Sequence, residues 1–190
     1  MGLSFRKQVM KMEFIRAGVE QIEAVYDIID QCRNELTARG ILQWDAHYPN
    51  RVFFEKAVTD STLFVLREDE AVTGIVVLDE CQASEWNTVR WQKGTGAILV
   101  VHSLAVLPAA QGRGYGTALL GFCETFARKA GYARLRLDAY SGNAAALRFY
   151  ERHGYTLQGE IELTFKPAGH RRYCCYEKLL TEAKYDKTLP

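Results

Sequence analysis

The sequence has almost no net charge: 24 lysines and arginines against 23 aspartates and glutamates leave +1 over 190 residues. A nucleic-acid binder needs a basic face to follow phosphates, so no nucleic-acid partner is expected, and any anion site must be local. No apolar run approaches the roughly 20 residues of a membrane span, so no membrane partner is expected either. Residues 1–11 lack the apolar stretch of a secretory signal. Gly2 stands where N-myristoylation would occur, but Arg6 occupies the position that needs Ser or Thr. The 5 cysteines, Cys32, Cys81, Cys123, Cys174 and Cys175, are odd in number and never spaced C-x-x-C. That pattern predicts reduced thiols, a cytoplasmic setting and no metal site. There is no internal repeat, low-complexity run or long linker. The chain suits one domain over 12–180, with an extension at 1–11 and a tail at 181–190.

What is present is an alternation of short strands and helices. Phe14-Ile15-Arg16 reads as a first strand. Val19 to Glu35 reads as a helix on the spacing of Ile22, Val25, Ile28 and Ile29, and Gly40 breaks it. Asn50 is placed to cap a second helix to Val58. Thr62–Arg67 and Val72–Leu78 form a hairpin pattern. Residues 81–97 have the weakest pattern and read as a loop with one turn of structure. Ile98 to Leu107 is almost continuously apolar, as in a strand covered on both faces. A helix follows with Leu119, Leu120, Cys123, Phe126, Ala127 and Ala130 on one stripe, ended by Gly131. Ala133, Leu135 and Leu137 then alternate with Arg134, Arg136 and Asp138 as another strand. A short helix at 143–152 and strands at 155–160 and 173–179 complete a mixed α+β domain.

Between the apolar strand and the striped helix lies Gln111-Gly112-Arg113-Gly114-Tyr115-Gly116-Thr117. Glycines there permit a tight turn and leave no side chains over the amides. Unpaired amides at the helix start can then face an anion, with Arg113 adding charge nearby. A Walker loop would end in Gly-Lys-Ser/Thr, and no lysine is present. A dinucleotide fingerprint from Gly112 would need glycine at Thr117. Taken alone, the three glycines also suit a strand-to-helix turn that binds nothing.

The spacing Gln111-x-x-Gly114-x-Gly116, preceded by Leu104-Ala105-Val106-x-Pro108, resembles the pyrophosphate loop and central strand of the GNAT superfamily of N-acetyltransferases. A second pattern, Asn143-x-x-Ala146-x-x-x-Tyr150-x-x-x-Gly154-Tyr155, resembles the family's other cofactor motif. It lies downstream in the expected order, with a strand between. The element order resembles the family over about 12–180, and the motifs themselves lie in 98–158. The resemblance implies a seven-stranded, mostly antiparallel sheet with two splayed parallel central strands, and acetyl-CoA held between them. It further implies that the backbone of Leu104, Ala105 and Val106 bonds the acetyl carbonyl and pantetheine. Amides from Gln111 through Gly112, Arg113, Gly114, Tyr115 and Gly116 to Thr117 would hold the pyrophosphate. Asn143 and Ala146 would flank the pantetheine arm, and Tyr150 would approach the sulfur as general acid. The implied reaction is direct acetyl transfer to a primary amine, from a small molecule or a peptide, through a tetrahedral intermediate and without a metal. Homodimers are common among such folds.

An amine acceptor must lose a proton, and the base is not obvious. His102 lies two residues before Leu104, which on simple alternation puts both on one side; its ordinary pKa of about 6.5 suits the task. It reads equally as a histidine satisfied inside the sheet. Glu13, Asp138 and Tyr140 near strand ends are lesser candidates. His153 reads as a helix-end residue, and Cys123 as core rather than nucleophile. For the acceptor, the connection Gly40-Ile41-Leu42-Gln43-Trp44-Asp45 between the first two helices is a candidate wall. Trp44 reads first as an anchor of that loop and otherwise as a flat apolar surface, Asp45 offers a charge for a cationic amine, and Tyr140 a strand-end contact. Residues 160–172, with Phe165, Pro167 and Gly169, read as a lid. Two alternatives stay open: a CoA-binding module without catalysis, and a transferase with another acyl donor.

Overall fold

The structure is a computed structural model and describes residues 11–180. Lys11 aside, the expected extension at 1–11 and tail at 181–190 lie outside the described residues. Seven strands and four α-helices follow in order: β1 (Met12–Arg16), α1 (Ile22–Ala38), α2 (Arg51–Thr59), β2 (Leu63–Glu68), β3 (Ala71–Asp79), β4 (Ala97–Val106), α3 (Tyr115–Lys129), β5 (Tyr132–Tyr140), α4 (Ala144–Arg152), β6 (Thr156–Glu162) and β7 (Arg172–Leu179).

Local chemistry sets the boundaries. Asn50 caps α2, its Oδ1 accepting from the Phe53 amide at 2.9 Å. Gly131 follows α3 with φ 82°, the left-handed turn that lets the chain leave a helix without a Cβ penalty. The apolar stripe of α1 buries Ile22, Val25, Ile28, Ile29 and Cys32.

The strands form one sheet in the order β1-β2-β3-β4-β5-β7-β6. β4 and β5 run parallel, and every other neighbouring pair is antiparallel. Helices cover both faces. On one side α3 and α4 pack over Leu66, Val76, Leu99, Leu135 and Tyr176. On the other, α1 and α2 pack over Leu63, Val65, Ile75 and Val77. Cys123 lies fully buried in the stripe of α3, and burial raises its thiol pKa strongly, as expected of a core residue. All five cysteines are free, with Cys81 exposed and the others buried. No helix among the described residues is long and apolar enough to cross a membrane.

The weakly patterned stretch at 81–97 has a definite task. It holds one 3-10 turn, Ser84–Thr88, and lays Trp86 and Trp91 over the face of β5 that carries Arg134, Arg136 and Asp138. The Arg136 guanidinium stacks 3.9 Å from the Trp91 ring. Glu177 of β7 accepts from Arg134 Nη1 at 3.2 Å and Arg136 Nε at 2.9 Å through one oxygen. Alternation along β5 therefore marks an ionic layer under a cover, since Arg134 and Arg136 are both buried.

A second departure concerns β4. Ser103 takes φ 51°, and between the pairs His102↔Val77 and Ala105↔Ile75 the chain spends two residues opposite one. This is a β-bulge. Val101 and Leu104, three apart, consequently pack against the same α3-side cluster, and Ala105 faces the α1 side. The extra residue reverses the alternation, so His102 does not share a side with Leu104 as the two-residue period had predicted.

Candidate active site

β4 and β5 pair only from Ala97↔Tyr132 to Val100↔Arg136. Beyond that point they part, although β4 continues to Val106 and β5 to Tyr140. Backbone groups of β4 on the β5 side lose their ladder partners there. A cavity of about 610 Å³ occupies the gap and extends to the start of α3.

At one end stands the glycine loop. Gly112 and Gly114 have φ 77° and 88°, and a Cβ on either would meet nothing within 4 Å, so the loop presents an open backbone face. Gly114 is the N-cap of α3. Among the described residues, the amides from Gly112 to Thr117 donate to no carbonyl or side chain. Six free amides at the start of a 15-residue helix form a set that can face an anion. Gly116 fulfils a different need: a Cβ there would sit 3.3 Å from the Phe149 ring, so glycine lets α3 and α4 approach. Thr117 Oγ1 lies 3.0 Å from His153 Nε2. The other ring nitrogen of His153 donates to the Phe149 carbonyl at 2.8 Å, so Nε2 accepts from Thr117 and ties the two helices.

Of the residues singled out from the sequence, Trp44, His102, Leu104, Ala105, Val106, Gln111, Gly112, Gly114, Tyr115, Gly116, Thr117, Tyr140, Asn143, Ala146 and Tyr150 all line the cavity. Arg113, Asp45 and Glu13 do not, and Glu13 is paired with Arg67 at 2.8 Å. The Arg113 guanidinium is held by Glu68, with Nη2 at 2.8 and 3.1 Å from its two oxygens, and lies over the Tyr115 ring. The Tyr115 hydroxyl donates to the same carboxylate. Asp45 accepts from the amides of His47 and Tyr48 at 2.7 and 3.0 Å and lies 3.5 Å from Lys166 Nζ. Its charge is thus already answered inside the protein. Asn143 caps α4, accepting from the Ala146 amide at 3.2 Å, and donates to Gln43 Oε1 at 2.8 Å. Gln111 folds back, donating to the Val106 carbonyl at 3.2 Å.

Tyr150 projects from α4 among Phe149, Tyr155 and Tyr176. Its hydroxyl has no hydrogen-bond partner among the described residues, and the residue lines the cavity. Burial raises its pKa far above the ordinary phenol value, so it stays protonated.

His102 has a partner that the sequence did not disclose. Its Nε2 lies 3.1 Å from Asp79 Oδ1 and 3.1 Å from the Cys81 carbonyl. Both are acceptors, so Nε2 carries the proton and the lone pair of the neutral ring is on Nδ1. Burial works to lower the imidazole pKa, but the hydrogen bond and charge of Asp79, with help from Asp138 and the Cys81 carbonyl, hold it above the usual histidine value. Asp79 responds reciprocally: burial would raise it, yet His102 and the Cys81 amide carry it below the usual carboxylate range.

The remaining wall comes from segments distant in sequence. Gln43, Trp44 and Tyr48 from the α1–α2 connection meet Leu163, Phe165, Lys166 and Tyr173 from the end of the chain. The Gln43 carbonyl joins them, accepting from Lys166 Nζ at 3.0 Å and Tyr173 Oη at 3.2 Å. Gln43 falls in the connection at 40–45 that the sequence had marked as a wall, whereas Tyr48, Asp79 and Lys166 were not anticipated. Of these three, only Lys166, a lysine between Phe165 and Pro167 in the suspected lid, carried any sequence signal. Among the described residues, no group of three or more His, Cys, Asp or Glu side chains is arranged to hold a metal ion.

A splayed parallel pair, an open glycine cradle at a helix start and a capped short helix after the next strand meet a family model over residues 22–155, that of the acetyltransferase (GNAT) family. The chain belongs to the GNAT acetyltransferase family. Solved structures share its fold. An acetyltransferase of the GNAT family from Streptococcus agalactiae superposes with TM-score 0.77 at 19% identity, covering 88% of this chain and 95% of that one. The ribosomal-protein-S18-alanine N-acetyltransferase of Escherichia coli gives 0.66 at 16%, covering 94% and 100%. The PaiA N-acetyltransferase of Thermoplasma acidophilum, solved in complex with coenzyme A, gives 0.67 at 15%, covering 90% and 99%. No curated protein matches the sequence. In this chain the glycine loop, Tyr150 and His102 line one cleft.

Proposed function

We propose that this GNAT protein transfers the acetyl group of acetyl-CoA directly to a primary amine through a tetrahedral intermediate. One observation carries the reading: a single cavity joins the free amides of Gly112–Thr117 to the strand splay, His102 and Tyr150. The residues fit the cosubstrate, because open glycines and unpaired amides suit a pyrophosphate and the splay suits a narrow arm. When bound, acetyl-CoA supplies an acyl group already activated as a thioester.

The protein's own groups then have separable tasks. Asn143 and Ala146, at the start of α4, flank the arm. Backbone amides of β4 near Leu104 and Val106, free of ladder partners on the β5 side, donate to the oxyanion, and one such donor is worth about 3–4 kcal/mol in related acyl transfers. His102 Nδ1 accepts the proton of the amine while Asp79 holds the ring and stabilises its charge. Tyr150 keeps a proton at the departing sulfur.

Tyr150→Phe is expected to leave acetyl-CoA affinity within about twofold and to lower kcat by roughly 10- to 100-fold, in the range of general acid–base catalysis. An unchanged kcat removes Tyr150 from the mechanism.

The base must be neutral to act, so kcat/KM should fall as pH drops through the His102 pKa. Since Asp79 raises that pKa, the acid limb should lie above the ordinary value of about 6.5. In Asp79→Asn the imidazolium loses its counter-charge while burial remains, so the limb should move to lower pH. A limb that stays in place in Asp79→Asn excludes His102 as the base.

A further inference from the structure

Resting on the amine-acceptor reading above, the inner surface of the cavity narrows the acceptor's class. Its half away from the glycine loop is walled by Trp44, Tyr48, Tyr140, Phe165 and Tyr173. Flat apolar walls of this kind favour a ring or an apolar body over a polar chain. Within them sits one carboxylate whose charge the protein leaves largely unanswered. Asp138 lies on β5 two residues past Arg136, the last residue of the strand pair, and lines the cavity.

Its Oδ2 accepts from Trp86 Nε1 at 3.0 Å. Trp86 is itself only 2% exposed, and its carbonyl accepts from Trp91 Nε1 at 3.1 Å. The indole is a neutral donor, so it orients the carboxylate without neutralising it. The second oxygen has no hydrogen-bond partner among the described residues.

The cations around this carboxylate are committed elsewhere. Lys166 Nζ is bonded to the Gln43 carbonyl at 3.0 Å and paired with Asp45 at 3.5 Å. His102 is bonded to Asp79. On the α1 side of the cavity, Arg39 and Glu35 pair with each other at 3.6 Å. Arg152 also lines the cavity and has no ion-pair partner among the described residues, but it lies at the far end of α4, on the glycine-loop side, beside the contact of His153 with Thr117. Burial holds the Asp138 carboxyl above the usual range against the pull of Trp86, His102 and Lys166, so a cation brought to it is well received.

We propose that Asp138, oriented by Trp86, is the anchor for the acceptor's ammonium group, and that the acceptor is a primary amine on an aromatic or apolar body with no carboxylate beside the amine. An α-carboxylate would be forced close to Asp138 with no uncommitted cation at that end of the cavity to meet it, and like charges in a desolvated site repel.

The test compares phenethylamine with phenylalanine, which differ by that carboxylate alone, in steady-state assays with acetyl-CoA on the whole protein. The expected kcat/KM for phenethylamine exceeds that for phenylalanine by roughly 100-fold or more. Asp138→Asn keeps an acceptor for the Trp86 indole. It should raise KM for phenethylamine by roughly tenfold or more and shrink the preference, with acetyl-CoA affinity unchanged. Equal or better use of phenylalanine overturns the inference and gives the Lys166 side to a carboxylate. An Asp138→Asn protein with unchanged KM and preference overturns it as well. Transfer to neither amine by a protein that binds acetyl-CoA overturns the inference and leaves the cofactor reading standing, whereas absence of acetyl-CoA binding overturns that reading first.

Discussion

Gly114→Glu and Gly116→Glu are each expected to weaken acetyl-CoA binding by more than roughly 100-fold, with the fold retained in Gly114→Glu. Among the described residues the amides from Gly112 to Thr117 have no protein acceptor, and the dipole of α3 adds to them. A carboxylate in that cradle competes for the same donors and opposes a pyrophosphate, and like-charge juxtaposition costs several kcal/mol, each 1.4 kcal/mol being about tenfold. The two sites separate charge from shape. At Gly114 a Cβ meets nothing, but φ is 88°, so the substitution adds backbone strain of about 1–2 kcal/mol. Asparagine tolerates that conformation, so Gly114→Asn should keep most of the affinity. At Gly116 the backbone is helical and the obstacle is the Phe149 ring at 3.3 Å. Gly116→Ala should therefore show a modest loss from pressing α3 off α4. Calorimetric titration of the four variants checks this, and near-normal affinity in both glutamate variants would mean the loop holds no phosphate.

The second large effect is on stability. Glu177→Ala is expected to cost about 3–5 kcal/mol, the range seen when one partner of a buried ion pair is removed. Glu177 is 1% exposed and takes hydrogen bonds from two buried guanidinium groups through the same oxygen. Arg134 retains the Gln92 carbonyl at 3.0 Å, and Arg136 retains Gln82 Oε1 at 2.8 Å and the Trp91 face. None of these carries negative charge, so removing Glu177 leaves two cations buried without a counter-ion. Urea denaturation gives the change directly. A loss under about 1 kcal/mol would mean that water reaches the layer and screens it. Replacing Arg134, Arg136 and Glu177 together by apolar residues of similar volume should recover most of the loss, because no charge is then stranded. The position matters for function as well: the cover formed by 81–97 also supplies Trp86, which orients Asp138 beside the splay.

The sequence disclosed the architecture because its signals there are local. Helical spacing in α1 and α3, the Asn50 cap, the Gly131 stop and the glycine run each depend on residues within a few positions of one another. The cofactor end of the cleft was legible for the same reason, since its residues fall in two short stretches before α3 and at α4. The acceptor end was not. Asp79 meets His102 through antiparallel pairing of β3 with β4, and Lys166 meets Gln43 across more than a hundred residues. Such pairings carry no periodicity. The bulge at Ser103 illustrates a further limit: one residue in a left-handed conformation inverted the face assigned to His102, and serine gives no warning of it. Asp45 and Arg113 looked available because charges on loops usually face water, but Lys166 and Glu68 had claimed them.

Titration calorimetry of the purified protein with acetyl-CoA, CoA and ATP tests most directly whether the cleft between β4 and β5 binds acetyl-CoA through the glycine cradle. Saturable binding of both CoA forms is expected, with ATP binding far more weakly because it lacks the pantetheine arm that the splay accommodates. No binding of either CoA form would contradict it, and the glycine loop would then be only a turn between a strand and a helix.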